Sequence, residues 1–232
     1  MSKKHVFGRY TNGEWKSPLK YSGKYKVYRR EIMIGSVTIK PLSNKSEEPC
    51  SPDFSYSERF ENTDNIDYIA VEGTWNHLPR SPKKINTKDP KHRNTVIEWG
   101  KKNKLHLTDF QIVEAVQIDI DNDQTDEVII VAKNIEHTFG AVENNFSAVL
   151  LVKNNYTHEV ASFFLDSQAA KNCTDETPCY ASIYRLVMCL DINNDGVLEI
   201  ITEDIVHEGI GKSIYQWKQG KFERVLDWGC GV

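Results

Sequence analysis

The 232-residue chain lacks any run long and apolar enough to span a bilayer, for which about 20 residues are needed. Its start, Met1-Ser-Lys-Lys-His, leads into polar sequence without the apolar core of a signal peptide. The five cysteines, at 50, 173, 179, 189 and 230, contain no CxxC pair and the histidines are scattered, which excludes a zinc module of ordinary spacing. No GxSxG elbow, P-loop, HExxH or glycine-rich nucleotide motif occurs. Charge of one sign is lacking as well. Against 33 Asp plus Glu stand 29 Lys plus Arg, and a net charge of −4 gives no general attraction to nucleic acid or an anionic membrane.

What is present is β-rich. Residues 23 to 30 and 33 to 40 are aromatic and β-branched, with turn residues around them. Basic side chains from Lys3 to Arg30 interleave with Tyr10, Trp15, Tyr21, Tyr25 and Tyr28, the pattern of a strand with one solvated face rather than of a single-strand nucleic-acid groove. From Ser43 to Asn65 the composition turns to Ser, Glu, Pro, Asn and Asp, which predicts a long surface loop or linker. A short strand at 66 to 71 leads into Gly73 to Pro82, where glycine and prolines exclude regular structure. A single helix is expected, near 90–102: Asp89 caps it, Pro90 opens it, and Val96, Ile97 and Trp99 form a short apolar face. The segments after it are predicted as strand and loop. The expected organisation is an N-terminal β region and polar loop (1–65), a connection of strand, Trp/Pro loop and helix (66–107), and a repeat region (108–232), which together can form one domain.

Two acidic segments define the repeat. Val116-Gln-Ile-Asp119 and Met188-Cys-Leu-Asp191 each enter an acidic loop, and each loop leaves through Glu followed by Val-Ile-Ile or Ile-Ile-Thr. The two loops start 72 positions apart (191 less 119), and an irregular loop and a hairpin are expected after each exit strand. Strand, loop, strand and hairpin make one four-stranded antiparallel sheet per copy. Two copies cannot close a ring. Either the N-terminal region supplies more strands or the sheets form an open stack.

Calcium takes six to eight oxygens, and a tight loop supplies them from carboxylates at alternate positions and a backbone carbonyl. Asp119, Asp121 and Asp123 stand at positions one, three and five of the first loop, the Thr125 carbonyl at seven and Glu127 at nine. Asp191, Asn193, Asp195, the Val197 carbonyl and Glu199 take the same places in the second. Gly196 sits where the loop must turn sharply, whereas the first copy has Gln124. An EF-hand would close with Glu at position twelve between helices. Here position twelve is Ile130 or Thr202 and the flanks are β-branched.

These loops and flanks resemble FG-GAP or VCBS-type repeats over roughly residues 108–230. The resemblance implies a propeller-like arrangement of four-stranded sheets, in a ring that can be incomplete or irregular, and two structural Ca2+ sites at the ten residues named above. The Phe-Gly-Gly-Ala-Pro type element of the family is not visible, and the first hundred residues match nothing in its repeat. The expected role is a non-enzymatic calcium-binding module that binds a protein or glycan outside the cytoplasm, secreted or at the cell surface. The alternatives are a hydrolase or related enzyme on the same scaffold, with its site near His77, Arg80, His137 or His207, and a cytoplasmic interaction protein whose loops bind no metal.

Trp75, Asn76, His77 and Arg80 combine an aromatic platform, an amide, an imidazole and a guanidinium, the mixture that grips sugars or anions and also the one that a strand-to-loop corner uses for packing. His137 and His207 lie after the two exit strands beside Glu136 and Glu208. Cys173 and Cys179 bracket a polar turn that a local disulfide can staple in an oxidising compartment, and Cys189 reads as core. The odd cysteine total leaves at least one thiol unpaired.

Overall fold

Val128-Ile-Ile-Val-Ala132 is apolar at every position, a pattern that suits a strand covered on both faces. In the computed structural model, which describes residues 9–11, 14–16, 22–29, 32–41, 54–56, 68–174 and 176–231, this segment lies at the centre of a sheet with a helix on one side and a second sheet on the other.

The elements follow in chain order. A hairpin of β1 (Arg9–Thr11) and β2 (Glu14–Lys16) precedes β3 (Gly23–Arg29), β4 (Ile32–Pro41), β5 (Phe54–Tyr56) and β6 (Tyr68–Val71). Next come β7 (Lys83–Lys84), helix α1 (Pro90–Lys102), β8 (Gln111–Ile118), β9 (Glu127–Lys133), β10 (Phe146–Lys153) and β11 (Tyr156–Phe164). A one-turn helix α2 (Ser167–Ala170) leads to β12 (Ile183–Leu190), β13 (Glu199–Val206), β14 (Gly209–Lys218) and β15 (Lys221–Gly231).

Each acidic segment joins the first two strands of an antiparallel meander. The first copy is β8-β9-β10-β11 with β7 added beside β8, and the second is β12-β13-β14-β15. The N-terminal strands form a further sheet in the order β5-β4-β3-β6. The sheets stack face to face. Ile129, Val131, Val149 and Leu151 of the first copy pack against Cys189, Leu198 and Ile200 of the second. The other face of the second copy, with Met188, Leu190, Ile201 and Leu226, meets Tyr28, Ile69 and Val71 of the N-terminal sheet. Helix α1 closes the opposite end of the stack, burying Val96 and Trp99 against Ile130, Ala132, Phe146, Ala148 and Leu150.

The helix follows its sequence signals. The Asp89 carboxylate accepts from the Lys91 amide at 2.9 Å, Pro90 opens the first turn, and Lys101 and Lys102 lie in the last. Gly100 lets the chain return across the helix end: a Cβ there would stand 2.5 Å from Leu107 Cδ1.

The chain is therefore mainly β, with repeated four-stranded meanders. Among the described residues no sheet closes on itself, and the sheets form an open stack. Four expectations are corrected. A second helix exists, α2, because Asp166 caps a single turn by accepting from Gln168 and Ala169 amides, and one turn is too short to show a period. The first sheet has a fifth strand, since Lys83 and Lys84 pair with Gln117 and Val116 just beyond the irregular Gly73–Pro82 stretch. The 43–65 segment contains β5, paired with β4; its other residues lie outside those described. Only the first copy has an irregular loop after its exit strand. In the second, β13 and β14 join through a tight turn at His207 and Glu208, with Glu208 at φ 61°.

Candidate metal centre

The two acidic loops lie side by side and fold alike. In the first, the Ile120 amide donates to Glu127 Oε2 at 2.8 Å, the Gln124 amide to Asp119 Oδ2 at 3.1 Å, and the Thr125 amide to Asp123 Oδ1 at 2.8 Å. In the second, the Ile192 amide donates to Glu199 Oε2 at 2.8 Å, the Gly196 amide to Asp191 Oδ2 at 3.2 Å, and the Val197 amide to Asp195 Oδ1 at 2.8 Å. The turn geometry matches as well. Gln124 and Gly196 have φ of 67° and 84°, and Asn122 and Asn194 have 63° and 64°. Asn tolerates this left-handed region better than most residues, which gives the paired asparagines a role that the sequence reading did not assign.

One oxygen of each first-position carboxylate thus holds the loop together while the other is left over. Asp119 Oδ1, Asp121 Oδ1, Asp191 Oδ1 and Glu199 Oε1 are buried without a hydrogen-bond donor. An orphaned buried carboxylate oxygen is costly, and a cation is the natural partner for it. The ligand atoms of Asp119, Asp121 and Glu127 lie within 4.8 Å of one another, a grouping that can hold a metal ion. Six to eight oxygens at the distances calcium uses suit such a loop, so the donor chemistry fits a hard divalent cation.

The loops differ at one facing position. Lys153, at the end of β10, places its Nζ 2.7 Å from Asp121 Oδ2, 3.2 Å from Asp123 Oδ2 and 2.6 Å from Glu127 Oε1. Burial alone would lower the Lys153 pKa, but the hydrogen bonds to Asp121, Glu127 and Asp123 outweigh it and hold the ammonium above its ordinary value. Asp123 is held below the usual carboxylate range by the Thr125 amide and by Lys153. At the second loop Gln216 takes the facing place. Its Oε1 accepts from Trp15 Nε1 at 3.2 Å, which turns its amide toward Asp195 Oδ2 at 3.3 Å. Burial, with the Asp195 and Asp191 charges adding to it, pushes Glu199 up to about 8, and burial raises Asp191 too.

The segment from Trp75 to Arg80 fastens the loops. Arg80 Nε donates to the Asp119 carbonyl at 2.6 Å and its Nη2 to the carbonyls of Ile120 at 3.2 Å and Gly196 at 2.7 Å. One guanidinium therefore spans both copies. Trp75 Nε1 donates to the Asp191 carbonyl at 2.8 Å, the Asp191 amide donates to the His77 carbonyl at 2.8 Å, and the Leu198 amide donates to the Ile120 carbonyl at 2.8 Å. Asn76 Oδ1 accepts from the Leu78 amide at 3.2 Å, within the same corner.

His77 is fully buried. Its Nε2 lies 3.3 Å from the Glu72 carbonyl, which only accepts, so that nitrogen carries the proton and Nδ1 accepts from the Tyr28 hydroxyl at 3.0 Å. Burial lowers its pKa to about 4, with the Lys26 charge helping and the Glu72 carbonyl opposing. His137 is exposed, and the His207 ring stacks on Tyr180 and contacts Phe139. Neither contact brings a loop histidine to Trp75 or Arg80.

Cys173 and Cys179 form a disulfide, Cys230 is disulfide-bonded too, and Cys189 is a buried free thiol. Sequence reasoning missed Lys153 and Gln216. Their hairpins look alignable on Ser147 and Ser213, yet Ser147 pairs with Lys133 and Ser213 with Thr202, six and three residues beyond the closing glutamates, so that alignment slips by three. A scan against protein-family models, a search of curated proteins and a search of solved structures each found no match.

Proposed function

We propose that this chain is a calcium-stabilised β-repeat module of FG-GAP or VCBS type, whose metal clips the strands of a propeller-like stack. The observation that carries it is the pair of loops with one hydrogen-bond scheme, each leaving buried carboxylate oxygens without a donor. The carbonyls of Thr125 and Val197 would complete the oxygen set. Bound at these oxygens, a divalent cation would supply charge neutralisation and no chemistry.

The module works outside the cytoplasm, secreted or at the cell surface, where calcium is abundant enough to fill sites of modest affinity. The Cys173–Cys179 disulfide supports that location. Its partner is a protein or a glycan. Phe139 and Tyr180, both more than half exposed and in ring contact with each other and His207, offer the kind of face that stacks on sugars or buries against protein.

The test is calcium titration of metal-free protein by calorimetry, with thermal melting alongside. A ligand at a hundred times its Kd stabilises by about 2.7 kcal/mol, and for a chain of this size that raises Tm by roughly 5–10 °C. Absence of both heat and a Tm shift would reject the metal reading.

A further inference from the structure

We infer that Lys153 is a built-in cation that closes the first loop to metal, so that the chain takes one ion, at Asp191, Asn193, Asp195 and Glu199 of the second loop. The inference rests on the metal reading above and adds which of two similar loops is open and what decides it.

The ladder sets the contrast. Val152 pairs with Val128 and Tyr215 with Ile200. One step further along each pair of strands, Lys153 stands opposite Glu127 and Gln216 opposite Glu199. The same register position thus carries an ammonium in one copy and a neutral amide in the other. The consequence is visible at the closing carboxylate. In both copies Oε2 of the glutamate accepts a loop amide at 2.8 Å. The other oxygen differs: Glu127 Oε1 accepts from Lys153 Nζ at 2.6 Å, whereas Glu199 Oε1 is buried without a donor in a residue with no exposed surface.

Lys153 also takes Asp121 Oδ2 and Asp123 Oδ2, so its nitrogen sits on three of the oxygens that calcium would need. An ion at 2.3–2.6 Å from those oxygens either replaces the ammonium or faces it across them, where like charges repel. Displacement is opposed by the bonds themselves, since the Lys153 side chain is only 15% exposed and would have to leave three carboxylates. Asp119 Oδ1 and Asp121 Oδ1 stay without donors, so the first loop retains attraction for a cation, but the Asp121, Asp123 and Glu127 oxygens that face Lys153 are taken. Among the described residues no ammonium competes at the second loop. Gln216 is held by Trp15 and gives Asp195 one amide hydrogen, while Asp191 Oδ1 and Glu199 Oε1 both await a partner.

The experiment is calcium stoichiometry by calorimetry and equilibrium dialysis on the full chain, with folding checked by circular dichroism. Wild type should bind one ion, K153Q two, and K153R one. Q216K should weaken the wild-type ion at least tenfold, and E199Q should abolish it while E127Q leaves it in place. Two ions in wild type, one ion in folded K153Q, loss of the ion in E127Q rather than E199Q, or undiminished binding in Q216K would each overturn the inference. If K153Q does not fold, Q216K, E199Q and E127Q still decide which loop is occupied. Failure of every folded variant to bind calcium would overturn the metal reading itself, whereas two ions in wild type would leave that reading standing and remove only the role of Lys153.

Discussion

Gln124 adopts φ 67° where its counterpart is Gly196 at 84°, so a side chain is held in a backbone region that glycine enters without steric cost. Gln124→Gly relieves that strain but also loosens the unfolded chain, and the balance is a gain of about 0.5–1 kcal/mol, measured by urea denaturation of metal-free protein. A loss of stability would show that the Gln124 side chain contributes more than its backbone costs. His77 gives a second expectation at this scale. Its pKa falls from an ordinary 6.5 to about 4 on folding, because burial disfavours the imidazolium. A depressed folded pKa means stability that is present above pH 6.5 and is lost as the pH falls through 6.5 toward 4, where the unfolded chain binds a proton that the folded one refuses. The loss is at most about 3 kcal/mol. Comparing urea midpoints of wild type and His77→Gln across pH 4 to 7 isolates it: the variant curve should be flatter, and parallel curves would reject the assignment.

At the scale of elements, α1 is the lid on the outer face of the first sheet, and its cap and its buried ring contribute unequally. Asp89→Ala should cost about 1 kcal/mol, since the Lys91 amide loses its acceptor. Trp99→Ala should cost about 3–5 kcal/mol, because the ring packs on Phe146 and Phe164 and its Nε1 donates to Glu159 Oε2 at 2.8 Å. Equal effects in urea denaturation would mean that the helix is peripheral. The exit strands were legible as strands because Val128 to Ala132 and Ile200 to Ile201 are apolar without alternation, the mark of cover on both faces. Helix α2 was not legible, as Ser167 to Ala170 spans one turn and shows no period. The turn at His207 and Glu208 was hidden for a different reason: β13 continues through Glu203, whose carboxylate is buried between Arg185 and Lys212, so charged residues stand in a strand where sequence reads a loop.

For the whole molecule the decisive residue is Arg80, which ties the carbonyls of Asp119 and Ile120 in one copy to Gly196 in the other. Arg80→Ala should destabilise metal-free protein by roughly 2–4 kcal/mol, because three part-buried carbonyls lose a charged donor together. Arg80→Lys should recover little, since an ammonium cannot match a planar fork of donors. Full recovery by lysine would reduce Arg80 to a point charge. The two acidic loops, their boundaries and their matching flanks could be read from sequence alone, as could most strands, the helix near 90–102 and a cysteine pair six residues apart. Each of these is local: alternate acidic residues, caps and strand periods act over a few neighbours. The facing of Lys153 on one loop and Gln216 on the other, the clasp by Arg80 and the stacking order of the sheets came only with the tertiary structure. Strand register decides them, and a slip of a single residue turns every side chain to the other face, so no local pattern can say which distant side chain will meet a loop.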